Sequence, residues 1–123
     1  MNESIGLGGL VLAYIGDAVL ELLLREKLIA QGISDTGRLN AAAQKLVCAT
    51  AQSERVERLF PVLTEEELSV YKLGRNGHTG SHPKSASAVE YHRATGMEAL
   101  FGFLHMEKRE DRIRELFDIA YGE

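Results

Sequence analysis

The chain has 123 residues, 45% hydrophobic and 26% charged, the profile of one soluble globular domain with a single core rather than a disordered segment. Its formal net charge of -4 excludes a bulk attraction to nucleic acid, so any phosphate contact must come from a local basic cluster. A single cysteine, Cys48, excludes an internal disulfide and, with no signal-like basic start, points to the cytoplasm.

β-branched residues never gather into an alternating run, so the expected fold is all-α. The first helix is expected over about Leu7 to Ala30. It contains LVLAYIGDAVLELLL, apolar almost throughout, with Asp17 in its middle and Glu21 one turn later. The run from Ile5 to Leu24 is long enough to span a bilayer. However, each central acid would cost about 2.5–3.5 kcal/mol on insertion, and the flanks lack interfacial anchors, so no membrane role is expected. A carboxylate on so apolar a helix must be paired, hydrogen-bonded, protonated or bound to a cation. Two readings of Asp17 stand at this point: an acid at the open end of a helix cleft bonded across to another helix, or a metal or catalytic residue. Glu21 has Arg25 four residues on as an ion-pair partner, and lies one turn from Asp17, close enough to support it.

RLNAAAQKLVCATAQSE predicts a second helix from about Arg38 to Glu54, with Cys48 in its middle as a small core residue. A short segment, Arg55 to Leu59, follows and stops at Pro61. In TEEELSVYKLG, Thr64 and Glu67 form a T-x-x-E capping box, three acids occupy the first turn, and Gly74 is expected to close the helix. The stretch GRNGHTGSHPKSAS, Gly74 to Ser87, reads as a loop. Ser87 and Glu90 form a second capping box opening a helix from Ala88 to about His105. The closing segment EKREDRIRELFDIAYG is amphipathic, with Ile113, Leu116, Phe117 and Ala120 on its core face.

The helix opened by Ser87 holds RATGMEALFGFL, where Glu98 lies in another apolar run between Gly96 and Gly102. Interior glycines cost a helix about 1 kcal/mol each against alanine, and close approach of a neighbouring helix is one recurring compensation. Gly16 beside Asp17 has the same character. If the two helices cross there, the two carboxylates meet, and a cation or a proton must lie between them. Oxygen ligands without histidine or cysteine at metal spacing favour Mg²⁺ or Mn²⁺ over zinc, and Mg²⁺ with one or two carboxylates suits phosphodiester chemistry. His78 and His82 stand four apart but in a loop and with no cysteine, so a zinc site is not expected.

The interval from Lys72 to Arg93 is the one basic concentration, with Lys72, Arg75, Lys84, Arg93, His78, His82 and His92 against a single acid, Glu90. It reads either as a solvated loop with incidental charge or as a surface for phosphate and 2′-OH groups of duplex RNA.

LAYIGDAVLELLL resembles the signature helix of ribonuclease III domains, E-F-L-G-D-A/S-V-L-E. RATGMEALFGFLH resembles their later helix, A-D-A-F-E-A-L-I-G-A, and TGRLNAAAQKLV the segment E-G-x-L-T-x-x-R-A-x-L-V between them. The likeness covers nearly the whole chain in the same order. It is closest to the Mini-ribonuclease III branch, bacterial and plastid, made of the catalytic domain alone, which also carries a G-R-N loop, here Gly74, Arg75 and Asn76. The resemblance implies a helical ribonuclease III-type endonuclease domain over residues 1–123, with no double-stranded-RNA-binding domain. It implies a Mg²⁺-dependent endoribonuclease, with Mn²⁺ as a substitute, that leaves 5′-phosphate ends on structured or double-stranded RNA, the substrate being precursor large-subunit (23S-type) rRNA. Asp17 matches the catalytic aspartate and Glu98 the catalytic glutamate, both metal ligands. Arg75, Asn76, Lys84 and His78 would bind RNA, and a ribosomal protein is a conceivable partner. A twofold homodimer would face two sites to the two strands, with Tyr14 and Ile15 where the family buries an aromatic and an aliphatic residue across the subunit interface. Three family acids are absent: the positions hold Ala13, Thr36 and Thr95, which reduces the ligand set and implies slower or more selective cleavage. The rival readings are a non-catalytic ribonuclease III-like module that binds rRNA or a ribosomal protein, and a helical adaptor with no RNA role.

Overall fold

A computed structural model describes residues 7–77 and 87–122. Among these residues there are six α-helices, one 3₁₀ turn (Phe60–Val62) and no strand. The helices are α1 (Gly9–Ala30), α2 (Thr36–Val47), α3 (Ala49–Glu57), α4 (Glu65–Arg75), α5 (Ala88–Met106) and α6 (Glu110–Tyr121). No described helix is long and apolar enough to cross a membrane.

The hub is α5, which packs against α1, α3, α4 and α6. Its sequence explains this: from Ala94 to Leu104 every residue except Glu98 is buried, so the helix needs neighbours on all sides. The core joins Leu12, Leu20 and Leu24 of α1 to Met97, Leu100, Phe101 and Leu104 of α5, with Val56, Leu59, Tyr71, Leu116 and Tyr121 closing it. The expected core face of α6 is buried at all four positions.

Helices α1 and α5 cross with backbone almost touching backbone. A Cβ added to Gly16 would fall 1.6 Å from the Glu98 carbonyl oxygen, and one added to Gly102 would fall 1.9 Å from that of Leu12. The two glycines therefore set the crossing point, and it lies beside Asp17 and Glu98. Gly96 serves another contact, against Tyr71 of α4.

Both capping boxes form, Thr64 with Glu67 and Ser87 with Glu90. Four sequence expectations need correction. The helix expected from Arg38 to Glu54 is two helices: Cys48 is extended (φ -67°, ψ 155°) and its carbonyl accepts from Gln52 N–H, making it the N-cap of α3. Neither glycine nor proline marks this break. It lets α2, which buries no residue, lie along α1 while α3 turns Gln52, Ser53 and Val56 inward. Cys48 is accordingly exposed at the break rather than a core residue. Of the segment Arg55 to Leu59, the first three residues end α3 and Arg58 and Leu59 lead into the 3₁₀ turn, within which Pro61 lies. Finally, Gly74 does not end α4; the helix continues to Arg75, and Gly74 is buried because Ala99 and the Thr95 carbonyl leave no room for a Cβ.

Candidate active site

Asp17 and Glu98 line one cleft of about 460 Å³ between α1, α3 and α5. Each helix presents its acid at the end of one stripe: Leu10, Ala13 and Tyr14, then Asp17 on α1; Tyr91, Ala94 and Thr95, then Glu98 on α5. These spacings repeat every three or four residues, so both stripes face the cleft over two turns. Asp17 is exposed at the mouth, whereas Glu98 is half-buried.

Burial pushes the Glu98 carboxyl up to about 8, helped by the Asp17 charge, by a hydrogen bond between the two carboxyls, and more weakly by the Glu21 charge. A hydrogen bond from the Gln52 amide acts the other way. Both carboxyls line the same cleft, so the crossing of α1 and α5 brings the two acids to one place. Glu21 stands 4.0 Å from Arg25, the i,i+4 pair expected, while its field also reaches Glu98.

Among the described residues, no group of three or more His, Cys, Asp or Glu gathers at metal-binding distance. Asp17 and Glu98 are the two carboxyls that this cleft would offer a cation. The pair fits Mg²⁺, which takes one or two protein carboxylates and keeps water in its remaining positions. A divalent cation would relieve the repulsion between two carboxylates in one cleft. Ala13 and Thr95 line the cleft without offering a carboxylate, and the Thr95 hydroxyl donates to the Tyr91 carbonyl at 3.0 Å. Thr36 opens α2, away from this cleft and against Arg25, Ile29 and Leu39.

Arg75 and Asn76 line a separate depression of about 320 Å³ with Phe60, Val89, His92 and Arg93. The Arg75 guanidinium lies 5.8 Å from the Tyr71 ring centre and donates to Asn76 Oδ1. Arg93 stands over Phe60 and pairs with Glu57 at 2.9 Å. His78, His82 and Lys84 lie outside the described residues. Tyr14 is 84% exposed, and Val11, Leu22 and Ile29 continue an apolar stripe along the same side of α1. Ile15 is half-buried, its Cγ2 beside Gly102.

The residue that sequence reasoning missed is Gln52. It is 3% exposed, yet it lines the cleft with Asp17 and Glu98. Its only signal was a polar side chain in an alanine-rich segment, and the unmarked break at Cys48 hid the face it occupies.

The all-helical fold is that of a nuclease family: the Ribonuclease III domain matches residues 10–109, and the chain belongs to the ribonuclease III family. Within it the chain is a member of the Mini-ribonuclease 3 branch. It is 43% identical over 112 residues to the Mini-ribonuclease 3 of Brevibacillus brevis, covering 91% of this chain and 84% of that protein. It is 40% identical to that of Symbiobacterium thermophilum, covering 90% and 85%. A Fusobacterium nucleatum protein solved by X-ray crystallography superposes with a TM-score of 0.86 at 30% identity, covering 97% of each chain.

Proposed function

We propose that the protein is a Mg²⁺-dependent endoribonuclease of the cytoplasm that hydrolyses structured or double-stranded RNA to 5′-phosphate ends, with precursor large-subunit rRNA as substrate. Its family and the name of its relatives, Mini-ribonuclease 3, support the ribonuclease activity. The observation that supports the metal dependence is that Asp17 and Glu98 line one cleft.

Asp17 and Glu98 would hold the cation, with Mn²⁺ able to replace Mg²⁺. Bound there, the ion would neutralise charge on the scissile phosphodiester and lower the pKa of an attacking water. Asp17 lies exposed at the cleft mouth and Glu98 half-buried within it, and as carboxylates both would hold the ion. Arg75 and Asn76, with Lys84 and His78, would position the phosphate backbone. The guanidinium of Arg75 is already held between Tyr71 and Asn76, which limits the entropy lost on gripping RNA. The exposed stripe of α1 containing Tyr14 would join two copies about a twofold axis, placing two sites against the two strands.

The test is cleavage of a precursor rRNA end with and without Mg²⁺, reading new 5′-phosphate termini. The parent should cut only with metal, and Asp17→Asn should fold and assemble normally yet leave the RNA intact. Cleavage by Asp17→Asn at the parental rate would refute the role given to Asp17. Salt-sensitive RNA binding without cleavage by the parent would favour a non-catalytic RNA-binding module.

A further inference from the structure

We propose that the depression between α4 and α5 is a pocket for one unpaired nucleotide of the RNA substrate, its phosphate held by Arg75 and Arg93 and its base laid against Phe60 and Val89. The inference rests on the reading of the chain as a ribonuclease. It goes beyond that reading because a uniform duplex offers no such nucleotide. The substrate class narrows to structured RNA with a bulge or an unpaired flank near the cut.

The depression holds about 320 Å³, within the range of pockets that take small ligands. Two guanidiniums border it, and each is seated on a ring. Arg75 lies 5.8 Å from the Tyr71 ring centre, and Arg93 lies 5.5 Å from that of Phe60. The two rings meet edge to face with centres 5.2 Å apart, so the four side chains form one row. Gly96 sets that row against α5, since a Cβ there would fall 2.6 Å from the Tyr71 ring. Tyr71 is buried, whereas Phe60 is 38% and Val89 65% exposed, so the apolar part of the floor is open. Asn76 and His92 add polar groups to the wall, and among the described residues that line the depression none is an acid.

Charge alone would serve a duplex backbone, which is gripped through its phosphates. A base out of its stack packs instead on aromatic rings and guanidinium planes, while arginine N–H groups reach the phosphate. Both kinds of group line this one depression. The Glu57 carboxylate stands 2.9 Å from Arg93 but is 61% exposed. So open a pair is worth little, and a guanidinium has donors to spare, so a phosphate can share Arg93 or displace Glu57. The position suits the reaction as well. His92 follows Tyr91, a wall residue of the cleft that holds Glu98, and Glu98 lies about 9 Å further along the axis of the same helix. A strand crossing α5 can present one nucleotide to the depression while a nearby phosphate lies over the carboxylates.

The test is binding, with Ca²⁺ in place of Mg²⁺, of two hairpins that differ only by one unpaired 2-aminopurine nucleotide. The parent should bind the hairpin carrying that nucleotide about 10-fold more tightly than the fully paired one, and 2-aminopurine emission should fall as the base stacks. Phe60→Leu keeps apolar bulk but removes the ring, and should bind both hairpins with the parent's affinity for the paired one. Val89→Asp places an acid in the first turn of α5, where the helix dipole favours it, so its thermal unfolding should match the parent's while the preference disappears. Equal binding of the two hairpins by the parent overturns the inference, as does a preference that survives both substitutions. Should Phe60→Leu fail to fold, Val89→Asp alone decides. Unchanged emission, together with binding of a poly-glutamate peptide that Val89→Asp abolishes, would give the depression to an acidic protein partner and also overturns it. A parent that binds neither hairpin in a salt-sensitive way refutes the ribonuclease reading itself, which is distinguishable from failure at the pocket.

Discussion

At the scale of single residues, the central fact is that two acids from distant parts of the chain are held close at some cost. Without a cation, Glu98 keeps its proton up to about pH 8, whereas in the unfolded chain it would release it near 4.5. Between those values the folded state carries the extra proton, so metal-free stability should fall as pH rises through that window. Glu67 has the opposite sign. The Arg112 guanidinium beside it holds its carboxyl below the usual range, so the stability it contributes is present above that range and lost in acid. In chelator the protein should therefore be most stable in mildly acidic solution. Thermal unfolding from pH 5 to 8 should show a decline that Glu98→Gln flattens; an equal decline in the variant would show that another group is responsible. Asp17 and Glu98 were legible in the sequence because an acid in an apolar helix demands an explanation. Gln52 was not, since an uncharged amide makes no such demand.

At the scale of helices, packing is governed by two devices, glycine contacts and one buried ion pair. The Gly16 contact with the Glu98 carbonyl leaves no side chain to repack, because the obstruction is backbone. Gly16→Ala should cost about 3 kcal/mol or more in chemical unfolding. Gly37→Ala, in α2 with only an Asp35 carboxylate oxygen 3.3 Å away, should be tolerated. The ion pair fastens α6 to the start of α4: Arg112 Nε donates to Glu67 Oε2 at 2.8 Å, and Nη2 donates to Glu67 Oε1 and the Val62 carbonyl, each at 2.7 Å. Glu67 is 2% exposed, so removing one partner strands a buried charge. Arg112→Met should cost about 3–5 kcal/mol, and the double variant with Glu67→Leu less than that. Additive losses would show that the pair is not coupled. Capping boxes and the α6 core face were readable because they are local patterns. The break at Cys48 was not, because it is imposed by where α1 and α5 need partners, and Gly74 was misread because a helix-closing glycine and a close-packing glycine look alike in sequence.

At the scale of the whole molecule, the apolar stripe of α1 is out of proportion for a chain of this size. Tyr14, Leu22, Ile29 and Val11 are each more than half exposed and share one side of the helix. A second copy of the chain is the expected cover. Leu22→Glu should convert a dimer to a monomer in sedimentation velocity while leaving helical content unchanged; a parent that sediments as a monomer at micromolar concentration would refute the assembly. The all-α class and helix order were legible because long periodic segments dominate the chain. The depression joining Arg75 to His92 and Arg93 was not, since it depends on how α4 and α5 lie side by side.

Because α1 is one continuous helix from Gly9 to Ala30, the rod that carries Asp17 is the same rod whose neighbouring face, through Tyr14, would grip a sister subunit. Losing that partner would uncover Tyr14 at the rim of the cleft that holds Asp17. Dilution should then silence cutting in step with the loss of paired molecules, tying cellular abundance to RNA turnover.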